Sequence, residues 1–88
     1  MSWTVEFSDS ARHDLKKLDR QTRQTIVDWI GDRLAGCEDP RAFGKGLTAD
    51  QSGKWRYRVG DYRILAEIHD QIVTIEVVRI GHRSKVYR

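Results

Sequence analysis

Cysteine is nearly absent from the 88-residue sequence: Cys37 stands alone, so no disulfide can form within the chain. A single cysteine fits a reducing compartment, and we expect the protein to be cytoplasmic. Long apolar runs are also missing, and none approaches the roughly 20 residues that a membrane-spanning helix requires. The first six residues lack a basic segment followed by an apolar one, so we expect no secretory signal. The length allows one domain, residues 1–88.

Three kinds of cofactor or catalytic motif are missing as well. The cysteine and the histidines have no metal-ligand spacing, which argues against a zinc site. The sequence has no Gly-x-x-x-x-Gly-Lys-Ser/Thr segment for nucleotide binding and no acidic cluster that suggests a two-metal nuclease. We therefore expect no metal and no cofactor.

Positive charge, by contrast, is concentrated in one half of the chain. Residues 1–50 carry eight Lys or Arg and nine Asp or Glu, whereas residues 51–88 carry eight and four. The net charge of +3 therefore combines a near-neutral half with a basic half. Such asymmetry indicates an anionic partner, with phosphate as the first candidate.

The basic half begins with a segment that alternates cations and apolar residues, as a β-strand with two different faces does. One face carries Lys54, Arg56 and Arg58. Gly60-Asp61 is typical of a two-residue hairpin turn, and the returning strand adds Arg63 beside the first. Cations gathered on one hairpin repel one another, so an anionic partner explains them well. The alternative is a solvated strand face that happens to be basic.

Helical periodicity is confined to the first half. Ser8, Asp9 and Ser10 are N-cap residue types before a first helix with an apolar side. A second helix is expected from about Gln21 to Ala35, with Gly36 as its C-cap. Its apolar stripe consists of Ile26, Val27, Ile30 and Leu34, with Trp29 at the margin.

Strand patterns account for most of the remainder. They predict strands at Trp3–Phe7, Lys54–Val59, Tyr62–His69 and Ile72–Ile80, and a loop at Cys37–Ser52 that Phe43 and Leu47 pin to the core. This order predicts an α+β fold: a helical hairpin packed on one face of a four-stranded, mainly antiparallel sheet. The opposite face would carry the cations.

Two further segments contribute candidate binding residues. Lys45, just before the basic hairpin, is a candidate phosphate contact, with an ordinary exposed lysine as the alternative. The last residues, Gly81 to Arg88, offer an imidazole, three cations and a phenol. Such a tail is commonly only a solvated end, but here it can close over one edge of the basic sheet.

A resemblance rests on these features together: the element order, the basic strand, Gly-Asp-Tyr-Arg at 60–63 and Gly-His-Arg-Ser-Lys-Val-Tyr at 81–87. The chain resembles the RelE/ParE toxin superfamily over nearly its whole length, and is most similar to RelE-type toxins of type II toxin–antitoxin modules. The resemblance implies a metal-independent endoribonuclease that cleaves messenger RNA in the ribosomal A site. It also implies a RelB-like antitoxin, messenger RNA and the ribosome as partners.

In that family the ribose 2′-hydroxyl attacks the adjacent phosphate and leaves a 2′,3′-cyclic phosphate and a 5′-hydroxyl. The resemblance assigns catalytic positions to Lys54, Arg56, Arg63, Arg83 and Tyr87. Arg63 would clamp the phosphate with its planar donors. Lys54 would act as a base if neighbouring cations favour its neutral form, or otherwise as a fixed charge. Tyr87 would stack on a base or orient the 2′-hydroxyl.

This sequence departs from the family at one catalytic position. A lysine is usual where this chain has Arg56, and arginine does not readily act as a base. His82 is therefore a candidate acid or base. Arg58, Lys45 and Lys85 are expected to add RNA contacts. Two alternatives remain: a ParE-like toxin that poisons DNA gyrase without cleaving RNA, and an inert homologue or basic RNA-binding module.

Overall fold

The fold is that of a computed structural model, which describes residues 2–47 and 54–84. Two helices, α1 (Asp9–Lys17) and α2 (Arg20–Arg33), accompany five strands: β1 (Thr4–Phe7), β2 (Lys45–Gly46), β3 (Lys54–Val59), β4 (Tyr62–His69) and β5 (Thr74–His82). The strands form one sheet in the order β1-β5-β4-β3-β2, in which β1 pairs parallel to β5 and the other pairs are antiparallel. The expected α+β class is confirmed, with five strands in place of four.

Both helices begin at side chains that cap their first free N–H groups. Ser8 Oγ accepts a hydrogen bond from the Ala11 N–H at 3.0 Å, and Asp19 Oδ2 accepts one from the Thr22 N–H at 3.1 Å. After α2 the chain turns at Gly36, whose φ of 77° favours glycine. None of the described helices is long and apolar enough to cross a membrane.

The core lies between the helices and one face of the sheet, which we call the helix side. It contains Ala11, Ile26, Ile30, Leu34, Tyr57, Val59, Ile64, Ala66, Ile75, Val77 and Ile80. Val27, expected in the apolar stripe, is 40% exposed. The buried residues of α2 recur every four positions. Val27 directly follows the buried Ile26, so its side chain is rotated out of this buried row. Trp29 packs at the core margin against Phe43 and Tyr57, as expected.

The expected loop from Cys37 to Ser52 contains a short strand that sequence periodicity does not reveal. Strand β2 pairs Lys45 with Arg56 and Gly46 with Trp55. Gly44 allows this approach, because its φ is 75° and a side chain there would collide with the Arg56 carbonyl oxygen. Phe43 packs against the core, and its carbonyl accepts a hydrogen bond from Trp55 Nε1 at 2.6 Å.

The last strand begins and ends two residues later than expected. A 3-10 turn at Asp70–Ile72 precedes it and leaves Ile72 65% exposed. A β-bulge at Val78 then shifts the register: Leu65 pairs with Arg79, but Ala66 pairs with Val77. The extra residue lets both Val77 and Ile80 face the core, although an odd number of positions separates them.

Candidate nucleic-acid interface

Five cations of strands β2, β3 and β4 lie on the face of the sheet opposite the helices, which we call the open face. Tyr57 and Val59 of β3 are buried against the helices, so the alternating residues of that strand point the other way. Register adds a cation from each neighbouring strand, because Lys45 pairs with Arg56 and Arg63 pairs with Arg58. The basic face, as we name it, consists of Lys45, Lys54, Arg56, Arg58 and Arg63. The candidate Lys45 is therefore joined to the hairpin by direct strand pairing.

Arg63 has the most constrained position of the five. It lies opposite Arg58 on β3 and opposite Gly81, which has no side chain, on β5. Its Nε atom is buried and has no hydrogen-bond partner among the described residues. An unpaired buried donor is costly, and next to a second guanidinium it favours an anionic acceptor.

Arg56 lies at the centre of the basic face, between Lys45 on β2 and Leu65 on β4. Leu65 is only 4% exposed although it belongs to the open face. Long cationic side chains cover apolar surface with their stems while their charged ends stay in water. The basic face therefore has an apolar floor beneath its centre.

Lys54 forms an ion pair with a glutamate on the neighbouring strand. Its Nζ atom lies 2.8 Å from Glu67 Oε2. The hydrogen bond from Lys54 is the main cause that lowers the pKa of Glu67 below its ordinary value. Lys54 is also separated from Arg58 by four residues of strand, or about 13 Å. This ion pair favours the role of fixed charge for Lys54.

The end of β5 brings Arg83 near the basic face but not His82. The Arg83 N–H donates to the Asp61 carbonyl at 2.9 Å, which ties it to the β3–β4 turn, at the end of the sheet where Arg63 lies. His82 pairs with Tyr62, and their rings meet edge to face at 5.7 Å. Tyr62 packs against the core, so His82 lies on the helix side, opposite to Arg63. Lys85 and Tyr87 lie outside the described residues.

Asp14 is a supporting residue that sequence reasoning missed. Its buried carboxylate accepts hydrogen bonds from Arg79 Nε at 2.8 Å and from the Ile80 N–H at 2.9 Å. These bonds hold the part of β5 that leads to His82 and Arg83. In the sequence, the only sign of this role is that Asp14 is an acidic residue on the flank of α1. Its partners Arg79 and Ile80 are 65 and 66 positions away, so no local pattern connects them.

One group of side chains has the arrangement of metal ligands. Potential ligand atoms of Glu67, His69 and Glu76 all lie within 4.8 Å of one another. Neither the spacing of histidine and cysteine nor a run of acidic residues marks this group in the sequence, because strand pairing brings Glu76 beside Glu67. It lies on the open face beside Lys54.

Comparison with known proteins agrees with this architecture. The family model described as the ParE toxin of the type II toxin–antitoxin system parDE matches residues 5–87. The chain is 34% identical to Toxin RelG of Mycobacterium tuberculosis over 88 residues, covering 100% of this chain and 99% of RelG.

Solved structures show the same fold. A chain in the toxin–antitoxin complex RelBE2 from Mycobacterium tuberculosis superposes with a TM-score of 0.83 at 32% identity, covering 97% of this chain and 95% of that one. The isolated E. coli RelE toxin superposes with a TM-score of 0.72 at 20% identity, covering 92% of this chain and 84% of that one. The second similarity concerns the fold alone.

Proposed function

This chain belongs to the RelE/ParE superfamily as a RelE-type toxin of a type II toxin–antitoxin module, and we propose that it is a ribosome-dependent endoribonuclease. In this proposal it cleaves messenger RNA in the A site and thereby inhibits translation. The observation that carries the proposal is the pairing of Arg63 with Arg58 on the basic face, with Arg63 Nε lacking a partner among the described residues. Two guanidinium groups side by side form a phosphate-binding surface.

The proposed reaction is an attack of the ribose 2′-hydroxyl oxygen on the adjacent phosphorus. The new P–O bond forms as the bond to the 5′-oxygen breaks, which leaves a 2′,3′-cyclic phosphate and a 5′-hydroxyl. Arg63 would bind two oxygens of the pentacoordinate phosphate, where negative charge develops. Arg56 and Lys54 would hold the neighbouring backbone as fixed charges, and Lys45 and Arg58 would extend the contact.

In this reaction the 2′-hydroxyl loses a proton and the leaving 5′-oxygen gains one. The ion pair with Glu67 supports Lys54 as a charge, and the position of His82 against Tyr62 on the helix side argues against direct contact with a phosphate on Arg63. Arg83, whose backbone is tied to the β3–β4 turn at this end of the sheet, is proposed to stabilise the leaving 5′-oxygen. Tyr87 is proposed to stack on a base, and Lys85 to contact the backbone.

A cognate antitoxin is the expected protein partner. The similar chain at TM-score 0.83 belongs to a toxin–antitoxin complex, and a second such complex is the archaeal RelE–RelB complex from Pyrococcus horikoshii. An antitoxin that covers the basic face would compete with RNA for the same cations. We expect the complex to be inactive in cleavage and the released toxin to be active.

A ParE-like activity is the second candidate, because the matching family model is named for ParE. Such a toxin would act on DNA gyrase and would leave RNA intact.

The test of the proposed endoribonuclease activity is a cell-free translation reaction with purified ribosomes, followed by primer extension on the message and analysis of the product ends. We expect cuts in the A-site codon with a 2′,3′-cyclic phosphate on the upstream fragment. A 3′-hydroxyl paired with a 5′-phosphate, or gyrase-linked DNA breaks without RNA cleavage, would contradict the proposal.

A further inference from the structure

The open face carries an acidic area beside the basic face. Glu6 on β1 pairs with Glu76 on β5, and Glu76 pairs with Glu67 on β4. Three carboxylates therefore stand side by side across three strands, an arrangement that destabilises a sheet unless cations compensate it. Among the described residues, Glu67 forms an ion pair with Lys54, and Glu76 contacts the imidazole of His69.

His69 adds an imidazole nitrogen to the carboxylate oxygens of this row, so the group contains both nitrogen and oxygen metal ligands. Its Nε2 atom lies 3.2 Å from Glu76 Oε1, and a Glu67 oxygen completes a triangle whose sides are at most 4.8 Å. Donors around a tetrahedral zinc ion lie about 3.4 Å apart, given metal–ligand bonds of about 2.0–2.2 Å. Modest rotation of the glutamate side chains is therefore enough to close the triangle.

We propose that Glu67, His69 and Glu76 bind one divalent transition-metal ion, of which Zn²⁺ is the natural probe. One imidazole nitrogen and two carboxylate oxygens suit zinc and are less suited to calcium or magnesium, which prefer oxygen alone. The β-bulge at Val78 lets Glu76 lie on the open face opposite Glu67 while Ile80, further along β5, is buried in the core. The three side chains are only partly buried, so an ion can enter and retain water ligands.

The site shares Glu67 with Lys54. An ion that draws on this carboxylate weakens the Lys54–Glu67 ion pair and repels the Lys54 ammonium. If the proposed function holds, metal binding would release the Lys54 ammonium from Glu67 and move it towards RNA bound on the basic face. The metal would then regulate the basic face, with no part in the proposed chemical step.

The test is titration of the purified full-length chain with ZnCl₂ by isothermal titration calorimetry. We expect one Zn²⁺ per chain and at least about tenfold weaker binding after Glu76→Gln, which keeps the side-chain size and removes the charge. His69→Gln gives a second test of the same ligand set. His13→Ala is the matched control, because it removes an exposed imidazole on α1 and should leave the affinity unchanged.

Lys54→Gln has the opposite expected effect. Removing the ammonium frees Glu67 and removes a repelling charge, so zinc should bind more tightly than to the wild type. Zinc should also raise the melting temperature of the wild type but not that of Glu76→Gln. No binding to the wild type, or equal affinity in wild type, Glu76→Gln and His69→Gln, would overturn the site. None of these measurements involves RNA, so they fail or succeed independently of the proposed nuclease activity.

Discussion

The carboxylate of Asp14 accepts a hydrogen bond from the backbone N–H of Ile80, a residue 66 positions further along the chain. Strand β1 ends opposite Val77, so in the described sheet the rest of this edge of β5 has no strand beside it. Asp14 supplies the acceptor that a longer β1 would have supplied, and it also binds Arg79. Helix α1 therefore fixes the strand end from which Arg83 emerges.

Replacing Asp14 with alanine should destabilise the protein. The change leaves the buried Ile80 N–H without its acceptor, which costs about 1–3 kcal/mol of the free energy of unfolding. Urea denaturation measures the loss. Asp32→Ala is the control, because Asp32 is exposed on α2 and its removal should change stability by no more than about 0.5 kcal/mol. Equal effects of the two substitutions would contradict the role of Asp14.

Lowering the pH should remove the contribution of Asp14 to the free energy of unfolding. Burial, the largest single influence, acts to raise the pKa of Asp14, but hydrogen bonds from Arg79 and the Ile80 N–H and the nearby positive charges outweigh it, so the pKa lies below its ordinary value of 3.8. A lowered folded-state pKa means that the stabilisation is complete above the unfolded-state pKa and is lost as the pH falls through the folded-state value. The difference in urea midpoint between wild type and Asp14→Asn should therefore shrink on acidification through this range. A constant difference would contradict the assignment.

Local pattern was sufficient to predict most of the basic face, because alternation on β3 and the Gly60-Asp61 turn fix which side chains share a face. Lys45 was harder, since a two-residue strand has no period and depends on the close approach that Gly44 permits. The sequence could not predict on which face of the sheet Glu76 lies. The bulge at Val78 reverses the alternation of β5, and nothing in a β-branched run marks where it occurs.

His82→Gln should leave the pH dependence of cleavage unchanged. The ring of His82 contacts Tyr62 on the helix side, away from Arg63, so it is not positioned to exchange a proton with a substrate on the basic face. Cleavage rates measured across neutral pH test this expectation. A profile that flattens near neutrality, together with a sharply lower rate, would show that His82 acts as an acid or base.

Tyr87 should act through contact with RNA. Tyr87→Ala should weaken RNA binding by about 1–3 kcal/mol, the usual value for a base stacked on an aromatic ring, whereas Tyr87→Phe should retain most of the binding. Fluorescence anisotropy with a short labelled RNA measures both variants. If Tyr87→Ala instead cleaves normally and has a lower melting temperature, the tyrosine is structural.

The central claim is that Arg63 binds the phosphate at which RNA is cut. The most direct test is primer extension on a message in a reaction with purified ribosomes and wild-type, Arg63→Ala or Arg12→Ala protein. Arg12 is an exposed arginine on α1, outside the basic face, and provides the matched control. We expect Arg12→Ala to cleave like the wild type and Arg63→Ala to cleave about 10²–10³-fold more slowly, the usual effect of removing a donor that stabilises developing charge. An Arg63→Ala protein that melts at the wild-type temperature and cleaves at the wild-type rate would contradict the account.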